Sequence, residues 1–235
     1  MASYDSFATV LAELRALGSL VHDYDFGVAS GNITDTVGSE DLVVAVGAGS
    51  VAYGEADPTG GTDAVKFNAG AKSETTTAGN WPLGDASRTI IVVARSDGKR
   101  GDLQNLFGYA NTGLTSRGFV FQSREGNGDP MFSNFFMAGS SEFQVNLDNP
   151  TDGTWKVLAL THESTAGYSS IHVDETFAAR NFTLNTETTT EGPSVPYDAL
   201  AGNMWYSHCL VFDEFIGGSY INRLALGLKN LKYGV

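Results

Sequence analysis

The sequence predicts an all-β fold, a two-sheet antiparallel jelly-roll sandwich with an N-terminal helix and a short C-terminal helix, and three observations predict it. Short segments rich in Val, Ile, Phe and Tyr recur from about residue 20 to 215. Clusters of Gly, Asn, Asp, Ser and Thr separate them, and helical periodicity is confined to the two ends. The segments are Leu42–Val46, Val51–Tyr53, Ala64–Asn68, Thr89–Arg95, Asn105–Tyr109, Gly118–Gln122, Met131–Met137, Phe143–Leu147, Trp155–Thr161, Ser170–Val173 and Met204–Phe212. Composition agrees: of 235 residues 42% are hydrophobic, 17% are charged and 28 are glycine, which suits a turn-rich globular chain rather than a disordered one.

The first element is a helix over residues 5–18. Phe7, Val10, Leu11, Leu14 and Leu17 form one apolar stripe with Glu13 and Arg15 off it, Asp5 or Ser6 can cap its start, and Gly18 can end it. Composition changes at Gly18, which divides the chain into a helix, 1–18, and a jelly roll, 19–235. A complete sandwich covers its own core, so the stripe is expected to be an interface with another copy or a partner protein; the rival reading is that it closes an open end of the same sandwich. Within the sandwich, Val65 and Phe67 alternate with an outward Lys66, whereas "TIIVVAR" is apolar on both faces and so belongs in the centre of a sheet. "SETTTAGN" (73–80) and "NTETTTEGPSVP" (185–196) read as polar loops. Near the end, Ser219 can cap a short helix carrying Ile221, Leu224, Ala225 and Leu228, with Lys229 and Lys232 at its cation-favouring end.

Acidic residues outnumber basic ones 27 to 14, a formal charge of −13, and only Lys99-Arg100 places two basic residues together. Phosphate binding needs a concentrated positive face, so nucleic acid is not an expected partner. Cys209 is the single cysteine, which rules out an intrachain disulfide, and its apolar surroundings mark it as a core residue. No apolar run approaches the length of a membrane span, so no membrane insertion is expected, and Met1 is not followed by the basic and apolar regions of an export signal.

Four stretches, "HDYDFGVASGNITDTVGSEDLVV", "GGTDAVKFNAG", "GTWKVLALTHESTAGYSSIHVD" and "GNMWYSHCLVFDEFIGGSYINRLALGLKNL", resemble in order the elements of the concanavalin A-like lectin/glucanase superfamily, in particular its laminin G-like branch. The resemblance spans about residues 20 to 231. It implies that Trp155 is a core residue and that Asp174 precedes a turn in which Glu175 replaces the usual glycine, which leaves Asp174 without an assigned role.

The glucanases of that superfamily imply two carboxylates on one strand face, written E-x-D-x-x-E, and no such pattern occurs. No G-x-S-x-G is present, and His22, His162, His172 and His208 lie far apart in the chain, although His162 and His172 could meet across a hairpin. No enzymatic activity is therefore expected. Calcium is the one cofactor raised: laminin G-like and lectin members hold it in loops, and Asp23, Asp25, Asn32, Asp35 and Asp213 are the candidate ligands, with Asx turns and surface charge as the other reading. Carbohydrate binding needs an aromatic beside polar loop residues; Trp81, Trp205 and Tyr206 are the candidates, and a buried core role is open for each.

Two functions follow as expectations. One is a non-enzymatic structural or binding module of a bacteriophage virion, such as a head decoration, head fibre or tail component, whose partners are other virion proteins, copies of itself or a host-surface glycan. The other is a carbohydrate-binding lectin domain of an extracellular protein.

Overall fold

The structure, a computed structural model, describes residues 5–47, 49–68, 70–75, 81–96, 104–109, 119–125, 132–138, 141–147, 152–181, 194–195 and 203–233. Most of the polar loop at 185–196, the end of that at 73–80 and the Lys99-Arg100 pair lie outside these residues. In chain order the elements are α1 (Phe7–Arg15), β1 (Leu20–Asp25), β2 (Thr34–Asp35), β3 (Val43–Ala45), β4 (Val51–Glu55), β5 (Ala64–Phe67), β6 (Lys72–Glu74), β7 (Arg88–Ser96), β8 (Gln104–Tyr109), β9 (Phe119–Glu125), β10 (Phe132–Ala138), β11 (Ser141–Asn146), β12 (Trp155–Glu163), β13 (Tyr168–Val173), β14 (Thr176–Asn181), β15 (Met204–Phe212) and α2 (Gly218–Tyr233).

These strands form the expected antiparallel sandwich. The first sheet runs β14-β13-β12-β7-β15-β1-β2, and β5, with β4 beside it, takes the stretch of the β15 edge that β1 leaves free. The second runs β11-β10-β9-β8, and bridges from Ser194 to Gly108 and Glu74 bring the β6–β3 pair alongside it. Between the sheets, Tyr24, Phe67, Ile90, Val92, Leu158, Leu160, Tyr206, Cys209 and Val211 pack in one core with Phe107, Phe119 and Phe121. Three strands were not legible in advance, the first being β2, which is only two residues long. β6 falls partly in a stretch that reads as loop, and β14, "TFAARN", is an edge strand that alternates only between part-buried and exposed residues, with its large apolar Phe177 on the exposed side at 56%, so no apolar stripe marks it.

The first sheet is apolar on its other face too. Ile91, Val93, Val157, Ala159, Leu210 and Phe212 point away from the sandwich core and join Phe7, Val10, Leu11 and Leu14 of α1 and Ile221, Leu224, Ala225 and Leu228 of α2 in a second core. This corrects the expectation for the helix stripe. Phe7, Val10, Leu11 and Leu14 are buried within their own chain, and Leu17 packs partly buried against the same cluster. The physical reason is in "TIIVVAR": a central strand with apolar side chains on both faces needs a second cover, and the two helices supply it.

Each helix is fixed locally. Ser6 caps α1, its Oγ accepting from Thr9 N at 3.1 Å. α2 is longer than expected, and Ser219 lies in its first turn rather than at its cap. The helices cross at Gly227, where a Cβ would stand 2.6 Å from Phe7 N and 2.7 Å from Phe7 Cα, so a larger residue would force them apart. Arg223 ties the crossing, donating to Asp5 at 2.7 Å and pairing with Glu13 at 2.8 Å.

Candidate ligand-binding site

Cross-strand register assembles one row of side chains on the outer face of the first sheet, beyond the apolar patch. Trp155 of β12 lies opposite Arg95 of β7, Arg95 opposite Trp205 of β15, and Trp205 opposite Lys66 of β5. Aromatic rings and cations therefore alternate. The Arg95 guanidinium lies 3.9 Å from the Trp205 ring centroid and 5.7 Å from that of Trp155, and Lys66 Nζ lies 4.6 Å from Trp205 on the β5 side. Trp205 Nε1 donates to Glu55 at 3.0 Å.

At the Trp155 end the row opens into a cavity of about 410 Å³. Arg95 and Trp155 line it from the sheet, Ala225, Leu228, Lys229 and Lys232 from α2, and the 153–156 and 174–175 segments from the side. The β13–β14 turn holds its shape through Asp174. Its backbone sits at φ 51, its N–H donates to Val157 O at 2.7 Å, and its Oδ1 accepts from Val157 N at 2.8 Å. Its other oxygen meets Lys156 Nζ at 3.1 Å, and Asp152 meets the same ammonium at 3.3 Å. Burial would lower Lys156, but the Asp174 and Asp152 carboxylates more than offset it and raise its pKa above the usual value. Asp152 is held below the ordinary carboxylate range: burial acts against this, while hydrogen bonds from Thr154 and the charge of Lys156 outweigh it.

Of the candidate aromatic residues, Trp81 and Tyr206 face inward, and Trp205 lies in the row but is covered. Trp81 is 2% exposed and donates its Nε1 to the Tyr24 hydroxyl at 3.0 Å, so it is a core plug rather than a sugar platform. Trp205 and Tyr206 do point to opposite faces of β15, but both are buried, Trp205 beneath Arg95 and Lys66 and Tyr206 between the sheets, where its hydroxyl donates to Leu106 O at 2.6 Å. Trp155, read as a core residue, is half-buried and lines the cavity. It is a partly exposed aromatic at the cavity wall, its other side packed against the second core. The sequence held no signal for this, because the residues that frame Trp155 are brought to it by strand register and by α2.

Four of the five candidate calcium ligands are engaged in folding contacts. Asp35 is buried and accepts the N–H groups of Asp23, Val37 and Gly38 at 3.2, 3.2 and 2.9 Å, while its Oδ2 lies 2.6 Å from His22 Nδ1. Burial opposes its ionisation, but the His22 hydrogen bond and these N–H groups lower its pKa below the usual range. Asp23 pairs with Arg15 at 2.8 Å, Asp25 accepts from Gly27 N at 2.8 Å in an Asx turn, Asn32 accepts from Val44 N at 3.4 Å, and Asp213 is exposed at the end of β15. Among the described residues no three His, Cys, Asp or Glu side chains converge as a metal-ligand set.

The histidines separate as well. His162 shares the inner face with Leu158 and Leu160, whereas His172 shares the outer face with Ser170, so the two do not meet across the hairpin. His162 does link Ser169 Oγ, 2.8 Å from its Nδ1, with Asp85, 3.0 Å from its Nε2, the connectivity of a Ser-His-Asp relay. Ser169 and His162 are both fully buried, however, so no substrate carbonyl can reach that hydroxyl. Burial, then the nearby Arg88 charge, lowers the His162 pKa, which keeps the imidazole neutral.

No family model and no curated protein sequence matches the chain. Solved structures do match its fold. One is the botulinum neurotoxin serotype D binding domain, with TM-score 0.63 and 11% identity over 89% of this chain and 51% of that one. Another is the Trypanosoma rangeli sialidase, with TM-score 0.62 and 13% identity over 92% of this chain and 34% of that one. This chain thus spans about half the length of the toxin domain and a third that of the sialidase. At such identities the likeness is one of fold, and the fold is an all-β antiparallel sandwich.

Proposed function

We propose that this chain is a non-enzymatic binding module that takes a saccharide in the cavity beneath α2. The observation that carries the reading is the half-buried Trp155 forming the wall of a 410 Å³ cavity whose rim is polar. A sugar ring presents an apolar C–H face suited to an indole and a hydroxyl edge suited to the Lys, Asp, Glu and backbone groups around it, and the volume suits one or two rings. Both carboxylates at the cavity, Asp174 and Glu175, are tied to lysines, at 3.1 and 3.2 Å, rather than facing each other across a substrate as acid and nucleophile. The matching structures support the reading by their names, a receptor-binding domain of botulinum neurotoxin D and a sialidase in complex with sialic acid.

A printed oligosaccharide array tests it. The unaltered protein should retain a subset of glycans that Trp155→Ala loses while keeping its thermal unfolding profile; retention of the same glycans by the variant would move the site elsewhere. The finer reading of the chain as a laminin G-like component of a bacteriophage virion takes its support from the order of its sequence elements and from the apolar-striped helix that precedes them. Mass-spectrometric detection in gradient-purified particles would establish that setting.

A further inference from the structure

The cavity is lined by four cations, Arg95, Lys156, Lys229 and Lys232, and by two carboxylates, Asp174 and Glu175, in a chain of formal charge −13. Three of the cations are engaged: Lys156 with Asp174 and Asp152, Lys229 with Glu175, and Lys232 with a contact of its own. Arg95 is different. Among the described residues no acceptor meets its guanidinium, and its Nε is buried with no hydrogen-bond partner. Glu55, the carboxylate that enters the same row, is bonded to Trp205 instead. Two aromatic rings hold the Arg95 head in place, and a planar cation fixed in that way loses little freedom when it binds. With Nε closed off, the terminal nitrogens are the part of the head that a ligand can meet, and their geometry matches the two oxygens of a carboxylate or sulfate.

We propose that the cavity selects an acidic saccharide, with its carboxylate or sulfate on the terminal nitrogens of Arg95 and a sugar face against Trp155. This rests on the saccharide reading above and adds the charge of the ligand to it. The three lysines are already engaged, so Arg95 is the cation left for a ligand, and the Debye length at physiological ionic strength, about 8 Å, screens the chain's distant carboxylates from it.

Calorimetric titration of the full chain with lactose, sialyllactose and sulfated lactose tests it, since the three probes share a neutral core. At least one acidic probe should bind about tenfold more tightly than lactose, as a charge-assisted pair of hydrogen bonds warrants, and the tighter of the two identifies the anion. Arg95→Gln should close the gap between acidic and neutral probes. Equal affinity for all three would leave the saccharide reading standing and overturn the charge selection; failure of all three to bind at millimolar concentration would overturn both. If Arg95→Gln does not fold, the Arg95 Nε–Hε resonance of the unaltered protein decides. It should move on adding an acidic probe and not lactose, and a resonance indifferent to all three refutes the contact.

Discussion

The outer face of the first sheet carries two different surfaces on the same central strands. Toward one end, β7, β12 and β15 present Ile91, Val93, Val157, Ala159, Leu210 and Phe212 to the helices; toward the other they present Arg95, Trp155 and Trp205. The helix-covered part is a second hydrophobic core, built from apolar side chains of both helices and of the strands beneath them. The other part is covered incompletely, and there the side chains are amphipathic, able to stack on one another and still meet water or a ligand. Where cover is complete, purely apolar residues from Ala159 to Phe212 pack against the helices; where it ends, tryptophans and cationic residues take over and a cavity remains.

The strongest way to break this comparison is to charge the covered half. Leu14→Asp places a carboxylate among Phe212, Ile91 and their neighbours and should cost about 3–5 kcal/mol by urea unfolding, because the charge is buried without a partner. Unchanged stability with loss only of self-association would return the stripe to the docking role that the sequence suggests.

The crossing point is next. Gly227→Ala should destabilise by about 1–3 kcal/mol as its Cβ meets the Phe7 backbone, although alanine is the better helix former by about 1 kcal/mol, and a net stabilisation would show that the helices can separate without cost.

The covered half should also be sensitive to acid. His172 stacks on Phe177 with its ring centroid 5.4 Å away, gives or accepts a 2.7 Å hydrogen bond with Ser170 Oγ, and has its Nδ1 buried without a partner. Burial lowers its pKa to about 4, below the ordinary value of 6.5. The unfolded chain therefore binds the proton first, so this contribution is complete above pH about 6.5 and is lost as pH falls toward 4. His208, beside Phe7, is lowered to about 4 by burial and then by Arg15, and adds to the same window. Melts from pH 7 to 4 should show a loss of about 1–3 kcal/mol from His172, and His172→Gln should remove that share of the slope. An identical slope in the variant would place the acid sensitivity elsewhere.

The open half should respond least in stability. Trp155→Ala should cost about 1 kcal/mol or less while removing saccharide binding, because a half-buried ring at a cavity wall leaves no sealed void when truncated. A loss comparable to that of Leu14→Asp would make Trp155 a core residue after all.

The sandwich was legible because burial imposes alternation: Val65 and Phe67 face in, Lys66 faces out, and "TIIVVAR" declares two covered faces. The helix stripe was legible as a stripe, but not what it covers, since an apolar face reads the same against a partner as against its own sheet. The cavity was not legible. Lys66, Arg95, Trp155 and Trp205 are distant in the chain, and only the pairing of β12 with β7, β7 with β15 and β15 with β5 brings them into one row. Asp174 was hidden for a local reason: where a glycine is usual, its φ of 51 is compensated by bonds from its backbone and carboxylate to Val157, a compensation that appears only when the neighbouring strand is in place.

The helical cover joins the first element described here to the last, and this sets an order of events during synthesis. At about 5–20 residues per second a ribosome takes on the order of 10–50 seconds to make a chain of this length. β7 and β12 are made well before Gly218–Tyr233, but β15, which joins them to β1, ends only at Phe212, so in the interval before β15 and α2 emerge the apolar patch around Ile91, Val93 and Val157 lacks its cover. A nascent chain in that interval presents the kind of surface on which chaperones act and neighbouring chains aggregate, and the arrival of α2 at Phe7 is the step that withdraws it.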